Sequence, residues 1–268
     1  MEAERPAAPE AARQLLEVRG LSKSFRGLQA LSDYELLLPA GSIHGVIGPN
    51  GAGKTTLFHL LSGFLRPSAG RIAFDGRDIT GSPAYAVARM GIGRTFQNIR
   101  LFGDLSVVDN VKVALQRRSR PSLVGALLSS SSFRAAEREL EVQALDLLRL
   151  SGLEHHRHRL ARNLPYGDQR RLEIARAVGT GPRLLLLDEP NAGMNPIETH
   201  ELLGLIRRLR DDSGITIVLV AHDIPLVMNL CDRVQVLNYG RLIAEGPPAA
   251  VRSNPEVIAA YLGQARHA

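Results

Sequence analysis

Four short, mostly apolar runs punctuate the chain at residues 43–47, 184–187, 215–220 and 234–237. Runs of this kind, lacking a regular polar face, suit strands buried on both sides in a parallel sheet. Residues 15–18, 34–38 and 71–74 also read as strands, with a turn at Arg26-Gly27 and a closing hairpin-type pair at Asp75-Gly76. They predict an antiparallel layer laid beside the buried sheet. Elsewhere the apolar period is helical: onward from Thr55, through Val107, Val111 and Leu115, over 133–150, and over 168–178. Ser106 with Asp109 resembles a capping box opening the second of these helices. Pro121 and the serines at 129–132 mark a loop or surface hairpin. Asn254-Pro255-Glu256 supplies N-cap, N1 and first-turn chemistry for a short last helix ending at Gly263.

The pattern predicts an α/β fold. Residues 15–97 and 165–238 form its core with the antiparallel β layer, and 98–164 form an inserted α-helical subdomain. Residues 239–268 add a hairpin strand and a short helix, and 1–14 form a disordered tail. At 268 residues, one large domain or a domain with a subdomain is the expected size class.

Composition changes this picture in a few places. Aromatic residues make up 4% and Trp is absent, which argues against a base-stacking surface for single-stranded nucleic acid. The net charge of +6 comes mostly from arginines spread along the chain, so it selects no single partner class. The lone cysteine, Cys231, sits in a helix-like stretch among apolar neighbours and reads as a small buried residue. With no disulfide possible within the chain, a reducing compartment is expected. Residues 1–12 contain no apolar segment of the kind a secretory signal needs. Every apolar run falls far short of the roughly 20 residues of a spanning helix, so the chain reads as soluble and a membrane task requires a spanning partner. His155, His156 and His158 lack a Cys or carboxylate companion at ligand spacing and read as a solvated turn.

The chemistry concentrates after the first buried run. Gly48-Pro49-Asn50-Gly51-Ala52-Gly53-Lys54-Thr55-Thr56 is a full G-x-x-x-x-G-K-[ST] loop between a strand and a helix. Its glycines let consecutive N–H groups curl around a polyphosphate, and the helix N-terminus adds partial positive charge. Lys54 would reach the β- and γ-phosphates, and the Thr55 hydroxyl would hold Mg²⁺. This is a nucleoside triphosphate site. The four leucines at 184–187 end in Asp188-Glu189, where ligands bind at strand C-termini in open α/β sheets. Asp188 would sit opposite Thr55, in the shell around the Mg²⁺ ligands, and Glu189 would orient and deprotonate the attacking water. His222, at the end of the 215–220 run, is placed to contact the γ-phosphate. Tyr166-Gly167, before the helix from Asp168, offers a second set of free N–H groups to phosphate.

In this order, over residues 15–263, the segments resemble the ATP-binding subunit of ABC transporters. Residues 48–56 resemble the Walker A loop of a P-loop, RecA-like core, and 184–189 the Walker B strand. The resemblance makes Gln97 the Q-loop glutamine that touches Mg²⁺ and water, and His222 the switch histidine. It makes Phe25 the ring that stacks on adenine. Leu164-Pro165-Tyr166-Gly167-Asp168-Gln169 stands at the signature, completing ATP bound to a second subunit, and Gly193-Met194-Asn195-Pro196 at the D-loop. The D-loop, the region around Ser129 and the ending Asn-Pro-Glu-Val-Ile-Ala-Ala-Tyr-Leu-Gly look like the longer ATPase of branched-chain amino-acid importers. The resemblance implies ATP and Mg²⁺, two membrane-spanning permease subunits docked near residues 97–102, a second ATPase subunit (the same or different) and, indirectly, a solute-binding protein. It implies a peripheral position on the cytoplasmic face of the inner membrane and no nucleic-acid partner. Two departures stand out: Pro165 replaces the usual signature serine, and Asn195 stands where many members have Asp. The alternatives are a lipopolysaccharide-export ATPase, or a soluble ABC ATPase acting on nucleic acid or ribosomes.

Overall fold

A computed structural model describes residues 13–116, 131–221 and 224–262. Two twelve-residue strands, β1 (Gln14–Phe25) and β2 (Leu28–Pro39), open the chain. With β4 (Ala69–Phe74) and β5 (Arg77–Asp78) they form a four-stranded antiparallel sheet in the order β2-β1-β4-β5. These strands run further than their apolar cores suggested, because β1 is paired along both edges. Strand β1 begins at Gln14, inside the expected tail, and Arg13 is held by an ion pair to Asp75.

The second sheet has six strands in the order β10-β9-β3-β8-β7-β6. They are β3 (Ile43–Ile47), β6 (Ile92–Arg94), β7 (Leu184–Asp188), β8 (Thr216–Val220), β9 (Arg233–Asn238) and β10 (Arg241–Gly246). All neighbours pair in parallel except β9 and β10. Only three residues long, β6 carries too little pattern to read from sequence; its pairing with β7 defines it.

Side-chain alternation divides the buried strands between two cores. Val46, Leu184, Leu186, Val218 and Val220 face the antiparallel sheet and α1 (Lys54–Leu61). Ile43, Ile47, Leu185, Leu187, Ile217 and Leu219 pack with Leu202, Leu205 and Ile206 of α6 (Pro196–Asp211) and with α7 (Ile224–Leu230). A third cluster joins α3 (Val107–Gln116), α4 (Ser131–Leu150) and α5 (Tyr166–Gly179) through Val107, Val111, Ala144, Leu148 and Leu172. Helix α5 belongs to two cores, since Ile174 and Val178 pack toward the large sheet. It ties the helical layer to the sheet. The remaining helices are α2 (Ala84–Arg89), α8 (Pro248–Arg252) and α9 (Pro255–Leu262).

Ser106 caps α3 as its spacing predicted, its Oγ accepting from Asp109 N–H at 3.1 Å. Asn254 does the same for α9, accepting from Glu256 N–H at 2.8 Å. Cys231 follows α7 rather than lying inside a helix, and it is buried, which drives its thiol pKa upward. Glu154 to His156 form a single 3-10 turn, where His156 stands 3.4 Å from Asp168. The loop read at Pro121 and up to Ser130, the end of the last helix at Gly263, and His222 lie outside the described residues.

Candidate nucleotide site

Between β3 and α1 the chain turns through Gly48, Gly51 and Gly53, all at positive φ. Two of these glycines have no substitute. A Cβ on Gly48 would lie 2.1 Å from the Leu237 carbonyl oxygen, and one on Gly53 would lie 2.6 Å from that of Ala30. The loop is therefore backed by β9 and β2, a contact that no local pattern announces. Gly240 pins it further: its N–H donates to Ala52 O at 2.9 Å, and its own carbonyl accepts from Ser32 N–H at 2.7 Å. Helix α1 begins with neither a capping side chain nor an acidic residue in its first turn. Its leading N–H groups and the positive end of its dipole are left to an anionic ligand.

Lys54 is buried at 6% exposure, and its Nζ donates to Gly48 O at 2.6 Å and Pro49 O at 2.8 Å. Burial lowers its pKa, and the charges of Glu189 and Asp188 oppose that shift. Asp188 ends β7 and Glu189 follows it, both near enough to Lys54 for their fields to act on it. Gln97 Nε2 donates to Glu189 Oε2 at 3.2 Å, joining residues 92 positions apart in sequence. Glu189 itself sits at φ 46°, an unusual backbone conformation for a residue with a side chain. Its N–H donates to Val220 O at 2.9 Å, anchoring the turn to β8.

A cavity of about 500 Å³ joins these parts, lined by Leu28, Gln29, Ala30, residues 50–56, Gln97, Glu189 and Tyr239. The sequence-derived Asn50, Gly51, Ala52, Gly53, Lys54, Thr55, Thr56, Gln97 and Glu189 thus share one space, with Gly48 and Pro49 behind it as Lys54's acceptors. Phe25 lies outside that lining, 41% exposed at the end of β1, with Lys23 Nζ 5.0 Å from its ring centroid. Sequence reading missed Leu28, Gln29 and Ala30, which the antiparallel sheet brings to the loop. It also missed the site role of Tyr239, although an Asn-Tyr-Gly turn at the end of a buried strand was a usable signal.

Asp188 has an unforeseen partner. Arg94, on edge strand β6, donates to its Oδ2 at 2.9 Å, with the two side chains only 5% and 7% exposed. Tyr166, Gly167 and Asp168, at the start of α5, are not among the residues that line the cavity. That helix begins two residues earlier than its apolar period indicated. Pro165 is its N-cap and gives no side-chain cap, so the terminus again carries free N–H groups. Asp168 is held by Arg171, which also reaches Glu201 at 2.9 Å. Arg170 ties the same helix to the Gln97 segment, donating to Phe96 O at 2.7 Å and also to Gln97 O. Asn195 is the N-cap of α6: its Oδ1 accepts from Ile197 and Glu198 N–H at 2.9 Å, and Glu198 accepts from Asn195 N–H at 2.9 Å.

Residues 31–192 match the ABC transporter family, and 241–267 match the branched-chain amino acid ATP-binding cassette transporter family. The chain is 45% identical to the high-affinity branched-chain amino acid transport ATP-binding protein BraF of Pseudomonas aeruginosa, over 94% of this chain and 99% of that protein. It is 47% identical to the corresponding protein LivG of Escherichia coli K12, over 94% of this chain and 98% of the other. Among solved structures, the ADP conformation of MJ1267, an ATP-binding cassette of an ABC transporter, superimposes with a TM-score of 0.81 at 30% identity, covering 93% of this chain and 99% of that one.

Proposed function

The chain belongs to the ABC transporter family of ATP-binding cassettes, and from that premise we propose that it hydrolyses ATP to energise a membrane importer of branched-chain amino acids. The observation that carries the solute class is identity of 45–47% across nearly the whole chain to two such subunits, continued by the C-terminal match at 241–267.

In this reading the glycine loop and the start of α1 cradle the triphosphate, while Lys54 exchanges its Gly48 and Pro49 carbonyls for phosphate oxygens. Glu189 takes the proton of the attacking water, and Gln97 holds that carboxylate in place from across the cavity. Among the described residues, hydroxyl, amide and carboxylate oxygens line the space, with no thiol or imidazole beside them. That donor set fits Mg²⁺, which takes hard oxygen ligands; Thr55, Gln97 and Asp188 would hold it. When bound, the ion neutralises charge on the β- and γ-phosphates. Phe25 would flank the base, and His222 would reach the γ-phosphate.

Tyr166, Gly167 and Asp168 serve a different nucleotide, the one on a second ATPase subunit's loop. Their place outside the cavity's lining supports this assignment, as does the uncapped start of α5. No helix among the described residues is long and apolar enough to cross a membrane. The spanning work therefore falls to two permease subunits, with this chain peripheral on their cytoplasmic side. Detergent extraction and purification of the intact assembly, followed by identification of the solute on its binding protein, tests the proposal. A branched-chain amino acid is the expected result; a lipid substrate or co-purifying nucleic acid overturns it.

A further inference from the structure

We propose that Arg94 is a positioning residue for the nucleotide's divalent metal, acting by aiming the Asp188 carboxylate. The inference rests on the assignment of Asp188 as a metal-site carboxylate. Three observations carry it. First, the Arg94–Asp188 pair is buried, at 5% and 7% exposure with 2.9 Å between Nη2 and Oδ2. Water is therefore excluded from setting the carboxylate's direction. Second, the guanidinium is itself fixed. Its Nη1 donates to Ser62 Oγ at 2.8 Å, and it lies 5.7, 5.6 and 5.1 Å from the ring centroids of Phe58, Phe64 and Phe96. Third, β6 exists as a strand only through its pairing with β7, which sets Arg94 beside Leu186, two residues before Asp188. An arginine held this firmly fixes one oxygen of Asp188 and leaves the other to face a cation. Groups bonded to metal-ligating side chains tune metal affinity in just this way.

A merely structural ion pair predicts something different. Losing it would lower stability without a selective effect on the metal. The test is Mn²⁺ titration of the full chain with ADP, followed by electron paramagnetic resonance, beside ADP affinity in chelator and the thermal midpoint. Arg94→Met is expected to weaken Mn²⁺ binding by about 10–100-fold, with metal-free ADP affinity unchanged. Arg94→Lys should recover part of the loss. Should Arg94→Met fail to fold, Arg94→Lys and Ser62→Ala remain, each expected to weaken Mn²⁺ binding less than the Met change, with the same sign. Unaltered Mn²⁺ affinity in the folded Arg94 variants, or an equal loss of metal-free ADP affinity, overturns the proposal. Asp188→Asn separates the premise from the inference. A weakened Asp188→Asn beside a normal Arg94→Met removes only the role of Arg94; normal affinity in both removes the role of Asp188 as well.

Discussion

Glu189 shows how a single residue ties backbone strain to chemistry. Its φ of 46° costs on the order of 1–3 kcal/mol for a residue with a side chain, and such strain gathers at functional sites. Here the turn leaves the carboxylate beside Gln97. Glu189→Gln should retain ATP binding but slow turnover by about 10²–10⁴, the usual scale for a lost general base. A binding titration beside a phosphate-release assay checks it, and near-normal hydrolysis would remove Glu189 from that role. Lys54→Ala should abolish tight ATP binding in the same titration, because no other cation lines the cavity among the described residues. These residues were legible beforehand because their motifs are local. Arg94 and Ala30 were not, since each reaches the site only through strand pairing.

At the scale of elements, two helix starts differ in how their first N–H groups are met. Asn195 is a departure from the family's common Asp, yet the structure gives it a complete capping box with Glu198. Asn195→Ala should therefore cost about 0.5–2 kcal/mol of stability, read by chemical denaturation. The start of α5 is the reverse case, with Pro165 contributing neither hydroxyl nor N–H. A missing hydrogen bond to a charged group is worth about 1.5–3 kcal/mol. Pro165→Ser should accordingly strengthen ATP-dependent dimerisation in light scattering, and an unchanged response would mean that Gly167 and the helix dipole already suffice.

For the whole molecule, the joint between the two sheets sets a pH limit. Tyr34 donates to Gln235, whose amide donates to Glu35 O at 2.9 Å and to Glu245 at 3.0 Å. Beside this bridge, burial lowers the His44 pKa from 6.5 to about 4, outweighing the opposing charge of Glu245. The folded state thus favours neutral His44, and the unfolded chain binds the extra proton first. That contribution is intact above pH 6.5 and is lost as pH falls toward 4, amounting to about 3 kcal/mol. Urea denaturation across this range should show the decline, and His44→Gln should flatten it.

The amino-acid order by itself determined the phosphate loop, the carboxylate pair after four leucines, and the two kinds of sheet. Each is a short-range pattern, in which neighbouring residues carry the whole signal. Tertiary structure alone decided that β6 is a strand, that Arg94 meets Asp188, and that β2 backs the glycine loop. Those contacts join residues distant in sequence, and only the register of paired strands and the packing of two sheets on one core bring them together.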